Sequence, residues 1–431
     1  MKKISKLLAI VGILLGFVIP ASAHETLPTN DLAIVGARVY TAPDAAPIED
    51  GAVVIRDGKI ASVGTRKKVK IPRGIQVING EGNILTAGFW NSYVHLLSPA
   101  QLGAANAKPE ILRGELQAML TRWGFTTVFD VASTTKSALA LQKRIEAGEV
   151  IGPNILTVGD AFYPKDGTPI YVRDFYATNG LASGEVATPE EASARAERQL
   201  DAGANGVKIF SGSIVGGDLG VLPMRVDVAK AIVDAAHQRG KIAFAHPSNM
   251  AGLKVAIDAN VDVLAHPTAM DGGGKSGDWT PDLIARMRSK NMALIPTLSL
   301  FEIEIKRSGG NAEVVTQALD MLTNEVRLYS AAGGQILFGT DVGYTELFDT
   351  TREYQLMSKV LTWRQILASL TTAPAEKFGF AARKGKIIKG MDADLVLLAA
   401  DPEKDSTAFA KVKYTIRDGR VIWSESAKQS N

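Results

Sequence analysis

Eight short apolar runs, separated by stretches with helical signals, occupy the middle of this 431-residue chain. Runs of this length are typical of buried strands, and their alternation with helices indicates βαβ units around a parallel sheet. Eight such units favour a (β/α)₈ TIM-like barrel over an open doubly wound sheet. The runs cover residues 84–90, 127–131, 155–158, 206–210, 242–245, 261–265, 293–298 and 336–338.

Helix signals between the runs support this interpretation. Thr188 followed by Pro189 predicts a helix start, and Gly203 predicts its end. Asp227 is expected to cap a second helix that runs to Gly240.

Both ends of the mature chain contain strands of a different kind. Asp57-Gly58 and Asp418-Gly419 each lie between two strand-like segments, which predicts two tight hairpins. Strands at both termini around a different middle predict a small composite β-sandwich domain. We expect it to combine residues 24–84 and 381–431, with the barrel over residues 85–380.

The first 23 residues have the composition of a signal peptide. Lys2 and Lys3 precede an apolar run over residues 7–19, and the small residues Ala21 and Ala23 fit a cleavage site. The alternative is an uncleaved membrane anchor, but the run is short of the roughly 20 residues that a spanning helix needs. The sequence therefore predicts an exported protein, periplasmic or secreted, with no membrane span after removal of residues 1–23.

Composition narrows the classes of partner. The formal net charge is only +3, and no run of Lys or Arg interleaved with aromatic residues suggests a nucleic-acid surface. Zero cysteines exclude disulfides and thiolate metal ligands, so any metal must use nitrogen and oxygen donors. We expect a small-molecule substrate, and a homo-oligomer is compatible with these features.

Residues with metal-ligating side chains occur at the ends of the predicted strands. In a barrel of this type the active site is built from the carboxyl ends of the strands. Three of the five histidines lie at such ends, and a buried lysine and an aspartate accompany them. The five candidate ligands are His95, Lys208, His246, His266 and Asp341.

Each of these residues also has a structural interpretation. A single histidine at a strand end is more often a packing residue than a ligand, and Asp341 could cap a helix. Lys208 could be a misjudged surface position, yet its neighbours Val207 and Ile209 predict a strand buried on both faces, where an unpaired ammonium is costly. The joint occurrence of all five residue types at these positions favours a functional site over five separate structural roles.

Several segments resemble the amidohydrolase superfamily, in its branch of imidazolonepropionase-like and prolidase-like enzymes. The similarity covers nearly the whole mature chain. It is carried by Thr86-Ala87-Gly88-Phe89-Trp90, Gly206-Val207-Lys208, Ala245-His246-Pro247, Ala265-His266-Pro267, Phe338-Gly339-Thr340-Asp341, the segment 369–375 and Gly390-Met391-Asp392-Ala393-Asp394-Leu395.

The resemblance implies one or two divalent metal ions, with zinc expected, although manganese, iron or cobalt suit the same donors. His246 and His266 would hold one ion, and His95 and Asp341 the other. Lys208, carboxylated by CO₂, would bridge them. Metal-bound water would then be the nucleophile, and Asp341 would act as general base and proton donor to the departing nitrogen.

One position departs from the pattern. The family's first strand ends in His-X-His, whereas this chain has Tyr93-Val94-His95. Tyr93 could be a phenolate ligand, a hydrogen-bonding group in a site with one metal, or the mark of impaired catalysis, since a phenol has a reference pKa of about 10.

The resemblance implies hydrolysis of an amide or other C–N bond, as in a dipeptide, an N-acyl amino acid or a cyclic amide. Tyr163, Tyr171 and Arg173 follow the third strand and could contact a substrate carboxylate, although a solvated loop is an equal interpretation. Two alternatives stay open: an esterase or lactonase with the same site, and a ligand-binding barrel that has lost turnover because of Tyr93.

Overall fold

The computed structural model describes residues 31–268 and 279–425. The predicted signal peptide lies outside this range. The described chain begins with five strands, of which the second and third are joined at Asp57 and Gly58, both with positive φ. These strands are β1 (Leu32–Val39), β2 (Ile48–Arg56), β3 (Lys59–Thr65), β4 (Gln76–Asn79) and β5 (Ile84–Ala87).

The middle of the chain contributes the parallel strands and two short pairs. They are β6 (Phe89–Val94), β7 (Phe125–Asp130), β8 (Asn154–Thr157), β9 (Tyr163–Pro164), β10 (Glu185–Val186), β11 (Gly206–Phe210), β12 (Gly212–Gly216), β13 (Gly220–Pro223), β14 (Ile242–His246), β15 (Val263–Ala265), β16 (Ala293–Ile295) and β17 (Gln335–Ile336).

Thirteen α-helices are described, mostly between these strands. They are α1 (Pro99–Leu102), α2 (Pro109–Met119), α3 (Thr135–Glu146), α4 (Ile170–Asn179), α5 (Pro189–Asp201), α6 (Val226–His237), α7 (Met250–Asp258), α8 (Pro281–Ser289), α9 (Leu298–Arg307), α10 (Ala312–Ala331), α11 (Thr351–Met357), α12 (Trp363–Leu370) and α13 (Thr372–Lys377). No helix within the described ranges is long and apolar enough to cross a membrane.

Three C-terminal strands, β18 (Leu395–Leu398), β19 (Val412–Arg417) and β20 (Arg420–Ser424), join the N-terminal strands. The resulting eight-stranded sheet has the order β20-β19-β18-β5-β1-β2-β3, and β4 pairs with β1. The chain termini therefore assemble one sheet, in which β18 runs antiparallel to β5.

The first apolar run is divided between two sheets. Residues 84–87 pair within the sheet of the termini, and β6 begins the parallel part directly after Gly88. A Cβ on Gly88 would lie 2.3 Å from Thr126 Oγ1 and 2.9 Å from Asp394 Cβ, so only glycine allows this close approach.

The parallel strands form two sheets, β6-β7-β8 and β11-β14-β15-β16-β17. This is a mixed α/β fold, and the described strands do not form one continuous closed sheet. Isolated bridges join Val94 of β6 to Val342, beyond β17, and Ile209 of β11 to Phe162, beyond β8.

The predicted helix starts differ in accuracy. The Thr188 side chain accepts a hydrogen bond from the Glu191 N–H, and α5 begins at Pro189 as expected. The prediction that Asp227 caps α6 is wrong, because the cap residue is Arg225. Asp227 lies inside the first turn, where a carboxylate still interacts favourably with the helix dipole.

Candidate metal centre

Four of the five candidate ligands lie at or beyond the carboxyl ends of parallel strands, and Lys208 lies within one. His95 follows β6, Lys208 is the third residue of β11, His246 ends β14 and His266 follows β15. Asp341 lies five residues after β17. The parallel register of β11, β14 and β15 places the ends of these strands side by side.

Backbone hydrogen bonds bring the first and last of these segments together. Ser92 N donates to Phe338 O at 2.8 Å, and His95 N donates to Val342 O at 2.8 Å. Asp341 N donates to Tyr93 O at 3.0 Å. As a result His95 Nε2 lies 3.0 Å from Asp341 Oδ1, although the two residues are far apart in sequence.

Lys208 is 1% exposed and lies beside Tyr93. Its Nζ donates to the Tyr93 hydroxyl and, at 3.2 Å, to the carbonyl of Val131. Among the described residues no carboxylate lies within ion-pair distance of this Nζ. Burial lowers the pKa of Lys208 to about 7, although the charges of Asp341 and Asp130 act in the opposite direction.

The ring of His266 is oriented by Thr297. The Thr297 hydroxyl donates to the Pro296 carbonyl at 2.8 Å, so its lone pair is left to accept from His266 Nδ1–H. This assigns the proton of the neutral imidazole to Nδ1 and leaves the Nε2 lone pair free. His266 Nε2 lies 3.6 Å from Asp341 Oδ2 and has no hydrogen-bond partner among the described residues.

His246 packs against two aromatic rings. It stacks on Phe210 with ring centroids 4.7 Å apart and meets the edge of His266 at 4.8 Å. Burial lowers the pKa of both histidines well below the usual value, and the charge of Lys208 adds to the effect. Both rings are therefore held in the neutral form that binds metal ions.

Two buried imidazole nitrogens among the candidate ligands have no partner. His266 Nε2 and His95 Nδ1 make no hydrogen bond within the described chain, and the neighbour of Asp341 Oδ1 there is His95 Nε2 at 3.0 Å. Unpaired buried polar atoms are costly, and a cation would satisfy them. The chemistry of the donor set thus fits a divalent metal, although no three His, Asp or Glu side chains in residues 31–268 and 279–425 already form a metal-ligand cluster.

Three residues at consecutive strand ends have left-handed backbone conformations. His266 has φ +71°, Thr297 φ +45° and Asp341 φ +59°. Such conformations cost of order 1–3 kcal/mol each in non-glycine residues and persist only where the surroundings impose them. Their concentration around the candidate ligands is typical of a functional site.

Glu353 is one of the groups that impose this geometry. Its buried carboxylate accepts hydrogen bonds from Leu298 N at 2.8 Å and from Ser299 N at 2.7 Å, at the start of α9. The residue before this helix is Thr297, which binds His266. A helix terminus anchored by Glu353 therefore positions the hydroxyl that orients the His266 ring.

The three residues proposed for substrate contact occupy different surroundings. Tyr163 is buried and shares a 2.8 Å hydrogen bond with Tyr176. Arg173 is exposed and donates to the Thr168 carbonyl at 3.1 Å, so no contact in the structure connects it with the cluster. Burial, then the neighbouring Tyr344 and the charge of Asp341, raise the pKa of Tyr171 well above its usual value.

A cavity of about 400 Å³ lies at the opposite ends of the strands. It is lined by residues such as Gly240 and Ile242, which precede or begin β14, and by the segment around Phe378. This cavity contains none of the five candidate ligands. The cavity and the candidate ligands therefore lie at opposite ends of the parallel strands.

The amidohydrolase family model matches residues 84–422, a span that contains every candidate ligand. The chain belongs to the amidohydrolase family. It is accordingly a hydrolase of the type that acts on amide and other C–N bonds. Members of the superfamily generally use divalent metal ions.

Individual relatives are distant but cover most of the chain. Ochratoxinase from Aspergillus niger is 23% identical over 448 residues, which is 92% of this chain and 89% of that protein. A Xaa-Pro dipeptidase structure with bound methionine has a TM-score of 0.76 at 22% identity and covers 91% of this chain and 100% of its own. Molinate hydrolase has a TM-score of 0.73 at 20% identity and covers 91% and 94%.

Three further residues, which the sequence patterns did not indicate, support the site of this amidohydrolase. Asp130 ends β7 and accepts hydrogen bonds from Leu96 N at 3.2 Å and Thr157 Oγ1 at 2.7 Å, which holds the segment after His95. Asp130 carries the same signal as Asp341, an acidic residue at a strand end. Thr297 and Glu353 have no comparable local signal.

Proposed function

We propose that this amidohydrolase hydrolyses an amide or other C–N bond of a small molecule in a metal-dependent reaction. The observation that carries the proposal is the pair of buried imidazole nitrogens without hydrogen bonds on His95 and His266, beside Asp341 and a buried Lys208 that has no carboxylate partner among the described residues. The names of the relatives, an ochratoxinase, a dipeptidase and a molinate hydrolase, are consistent with hydrolysis.

The residues divide into two donor pairs. His246 and His266 would hold one ion, with the free Nε2 of His266 as a donor, and His95 and Asp341 would hold a second. Zinc is the ion we propose, because all donors are nitrogen or oxygen. A divalent cation held there supplies Lewis acidity toward water and toward the substrate carbonyl.

Lys208 would contribute as a carbamate. The neutral amine nitrogen adds to the carbon of CO₂ and loses one proton, which converts the side chain into an oxygen-donor anion. This role accounts for a lysine buried against the Tyr93 hydroxyl, the Val131 carbonyl and the rings of Tyr93 and Phe210, with no carboxylate partner among the described residues. An ordinary structural lysine in such a position would be paired with a carboxylate.

Asp341 would move the proton during the reaction. Its Oδ1 takes the proton of the attacking water and later delivers it to the departing nitrogen, as the C–O bond forms and the C–N bond breaks. Its position between His95 at 3.0 Å and His266 at 3.6 Å is suited to this shuttle. Thr297 keeps the His266 ring in one orientation throughout.

Tyr93 would act as a hydrogen-bonding neighbour of Lys208 in a site with one tightly held ion. Burial, followed by the charge of Asp341, raises the pKa of Tyr93 well above its usual value, so the phenol is protonated in the metal-free protein. Its hydroxyl accepts from Lys208 Nζ. These contacts favour the second of the three roles considered for this residue.

The two parallel sheets would together form a (β/α)₈ barrel over residues 85–380. The hydrogen bonds from the β6 segment to residues 338–342 and the bridge from Phe162 to Ile209 support closure. Residues 24–84 and 381–431 would form the sandwich domain, with β5 continuing it to Ala87.

We also propose export after cleavage at Ala23. Intact-mass measurement of secreted or periplasmic protein tests this, and a mature product that retains Met1 would contradict it.

Metal content and turnover should be measured together. We expect one to two zinc ions per protomer and hydrolysis of members of an amide panel that includes dipeptides, N-acyl amino acids and cyclic amides. Chelation should abolish turnover and zinc should restore it, whereas Lys208→Ala should lose both metal and turnover. Faster turnover of matched esters or lactones would favour the esterase alternative, and ligand binding without turnover of any member would favour the binding alternative.

A further inference from the structure

Three aromatic side chains from separate elements lie near the candidate ligands His266 and Asp341. Tyr171 belongs to α4, Phe301 to α9, and Tyr344 to the turn after Asp341. The Tyr171 and Tyr344 rings are 5.5 Å apart at 67°, and Phe301 meets the candidate ligand His266 at 5.9 Å and 90°. We call these three residues the aromatic mouth.

The aromatic mouth belongs to the same site as Asp341. Thr345 N donates to the Asp341 carbonyl at 3.1 Å, so the turn that carries Tyr344 is held against Asp341, and Tyr171 packs on Tyr344. Tyr171 is 36% exposed and Tyr344 and Phe301 are half-buried, so these residues have solvent-facing surface.

Exposed apolar residues extend the mouth outward. Ile170 precedes Tyr171, while Leu347 and Phe348 follow Tyr344, and all are exposed. Leu219, 71% exposed, lies on the β12–β13 hairpin, which approaches α4 where a Cβ on Gly216 would lie 3.6 Å from Ile170. Clustered exposed apolar surface of this kind is typical of a binding site.

The cations near the mouth already have partners. Arg307 pairs with Glu304 at 2.6 Å, and Arg173 donates to the Thr168 carbonyl. Glu304 adds negative charge near Tyr344, and burial raises the pKa of Glu304. The described side chains of the mouth and of its exposed extension are rings and apolar groups, which disfavours recognition of a substrate carboxylate at this point.

We propose that the aromatic mouth binds an aromatic ring of the substrate, so that the preferred substrates are amides with an aryl group next to the scissile bond. Two rings set edge to face leave surfaces on which a third ring can stack. The inference rests on the proposed function: water adds to the carbonyl carbon, the C–N bond breaks, and the products are a carboxylate and an amine that takes up the proton.

The test compares matched amides that differ only in the group beside the carbonyl. We expect kcat/KM for N-benzoylglycine to exceed that for N-acetylglycine and N-hexanoylglycine by at least about tenfold. Tyr171→Leu should reduce the preference for benzoyl over hexanoyl by about fivefold or more, mainly through KM, whereas Tyr171→Phe, which keeps the ring, should retain it.

Ile388→Ala is the matched control, because Ile388 is as exposed as Ile170 but lies outside the mouth. It should leave the preference unchanged. Hydrolysis of all three amides without a preference for the benzoyl group would overturn the proposed role of the aromatic mouth and leave the proposed function intact. A preference for an amide that carries an ammonium group and no ring would have the same consequence.

A binding measurement keeps the inference testable if no amide is hydrolysed, an outcome that would overturn the proposed function. Calorimetric titration with N-benzoylglycine should then still detect binding that Tyr171→Leu weakens and Tyr171→Phe keeps. Equal affinity for benzoyl and hexanoyl ligands in the unmodified protein would overturn the aromatic mouth itself.

Discussion

Two buried lysines in this protein have opposite surroundings. Lys384, in the segment that leads to β18, lies 2.5 Å from Asp394 and 3.3 Å from Asp392. Lys208, in the parallel sheet, has the Tyr93 hydroxyl and the Val131 carbonyl as partners. Burial acts to lower the pKa of both, but for Lys384 the aspartates outweigh it and the pKa is raised.

The difference distinguishes a buried lysine that is part of a compensated ion-pair network from a buried lysine at a candidate functional site. Arg383 at 2.9 Å and Lys59 also contact Asp392, so the charges near Lys384 are compensated within the fold. The charge of Lys208 is not compensated in this way. A buried ionisable group without a counter-ion needs a chemical use or a missing ligand, and it marks a candidate site.

The largest expected effect is on stability at Lys384. Lys384→Met should lower the free energy of unfolding by about 3–5 kcal/mol, because it leaves Asp392 and Asp394 buried with fewer partners. Lys386→Met, at an exposed position two residues away, is the control and should change stability by less than about 0.5 kcal/mol. Denaturant unfolding measures both, and equal stability of the two variants would break the comparison.

Lys208→Met should reduce turnover without reducing stability, the reverse of the effect expected for Lys384→Met. Turnover should fall by at least about 100-fold, as expected when a metal-site residue is lost. The metal-free protein should unfold at the same or a higher denaturant concentration, because an apolar side chain replaces an unpaired ammonium. In the Lys208→Ala variant, addition of a short carboxylic acid should partly restore metal binding and turnover. Full metal loading of either variant would rule out the bridging role.

Thr297→Val should weaken metal binding by about 10- to 100-fold with little change in stability, since it removes the hydroxyl that accepts from His266 Nδ1–H. Thr297→Ser retains the hydroxyl and should keep the affinity. Competition with a chromophoric chelator measures the constants. Similar affinities for the Val and Ser variants would show that the hydrogen bond does not orient the ring for metal binding.

The smallest effect concerns Tyr93. We expect the ion near His95 to be held about tenfold more weakly than the ion at His246 and His266, because one imidazole is absent from its donor set. A chelator should strip one equivalent first, and Tyr93→His should raise occupancy toward two. Two equally held ions, unaffected by Tyr93→Phe, would contradict this expectation.

Patterns local in sequence predicted local features well. The Asp57-Gly58 and Asp418-Gly419 turns lie between paired strands, because positive φ at both central residues is a property of the turn itself. Strand boundaries were less predictable. Residues 84–90 are one apolar run but contain two strands, β5 and β6, that belong to different sheets. Buried strands of either sheet are apolar, so the run alone does not show where one ends and the next begins.

Candidate ligands at strand ends could be listed from the sequence because each combines an unusual residue type with an apolar run. Arg173 was a weaker inference, since proximity along the chain to Tyr171 does not place both side chains at one site: α4 directs Arg173 to the Thr168 carbonyl. Glu353 could not be found, because its partners Leu298 and Ser299 lie more than fifty residues away.

The sequence by itself determined the family, the residue types available for chemistry and the absence of thiolate ligands, since these follow from composition and motif. Only the tertiary structure decided which lysine is paired and which is not. Lys208 lies between Val207 and Ile209 and Lys384 between Arg383 and Gly385, and these neighbours do not reveal that Lys384 pairs with Asp392 and Asp394. Counter-ions act through space, so their presence at Lys384 and absence at Lys208 is a property of the folded chain.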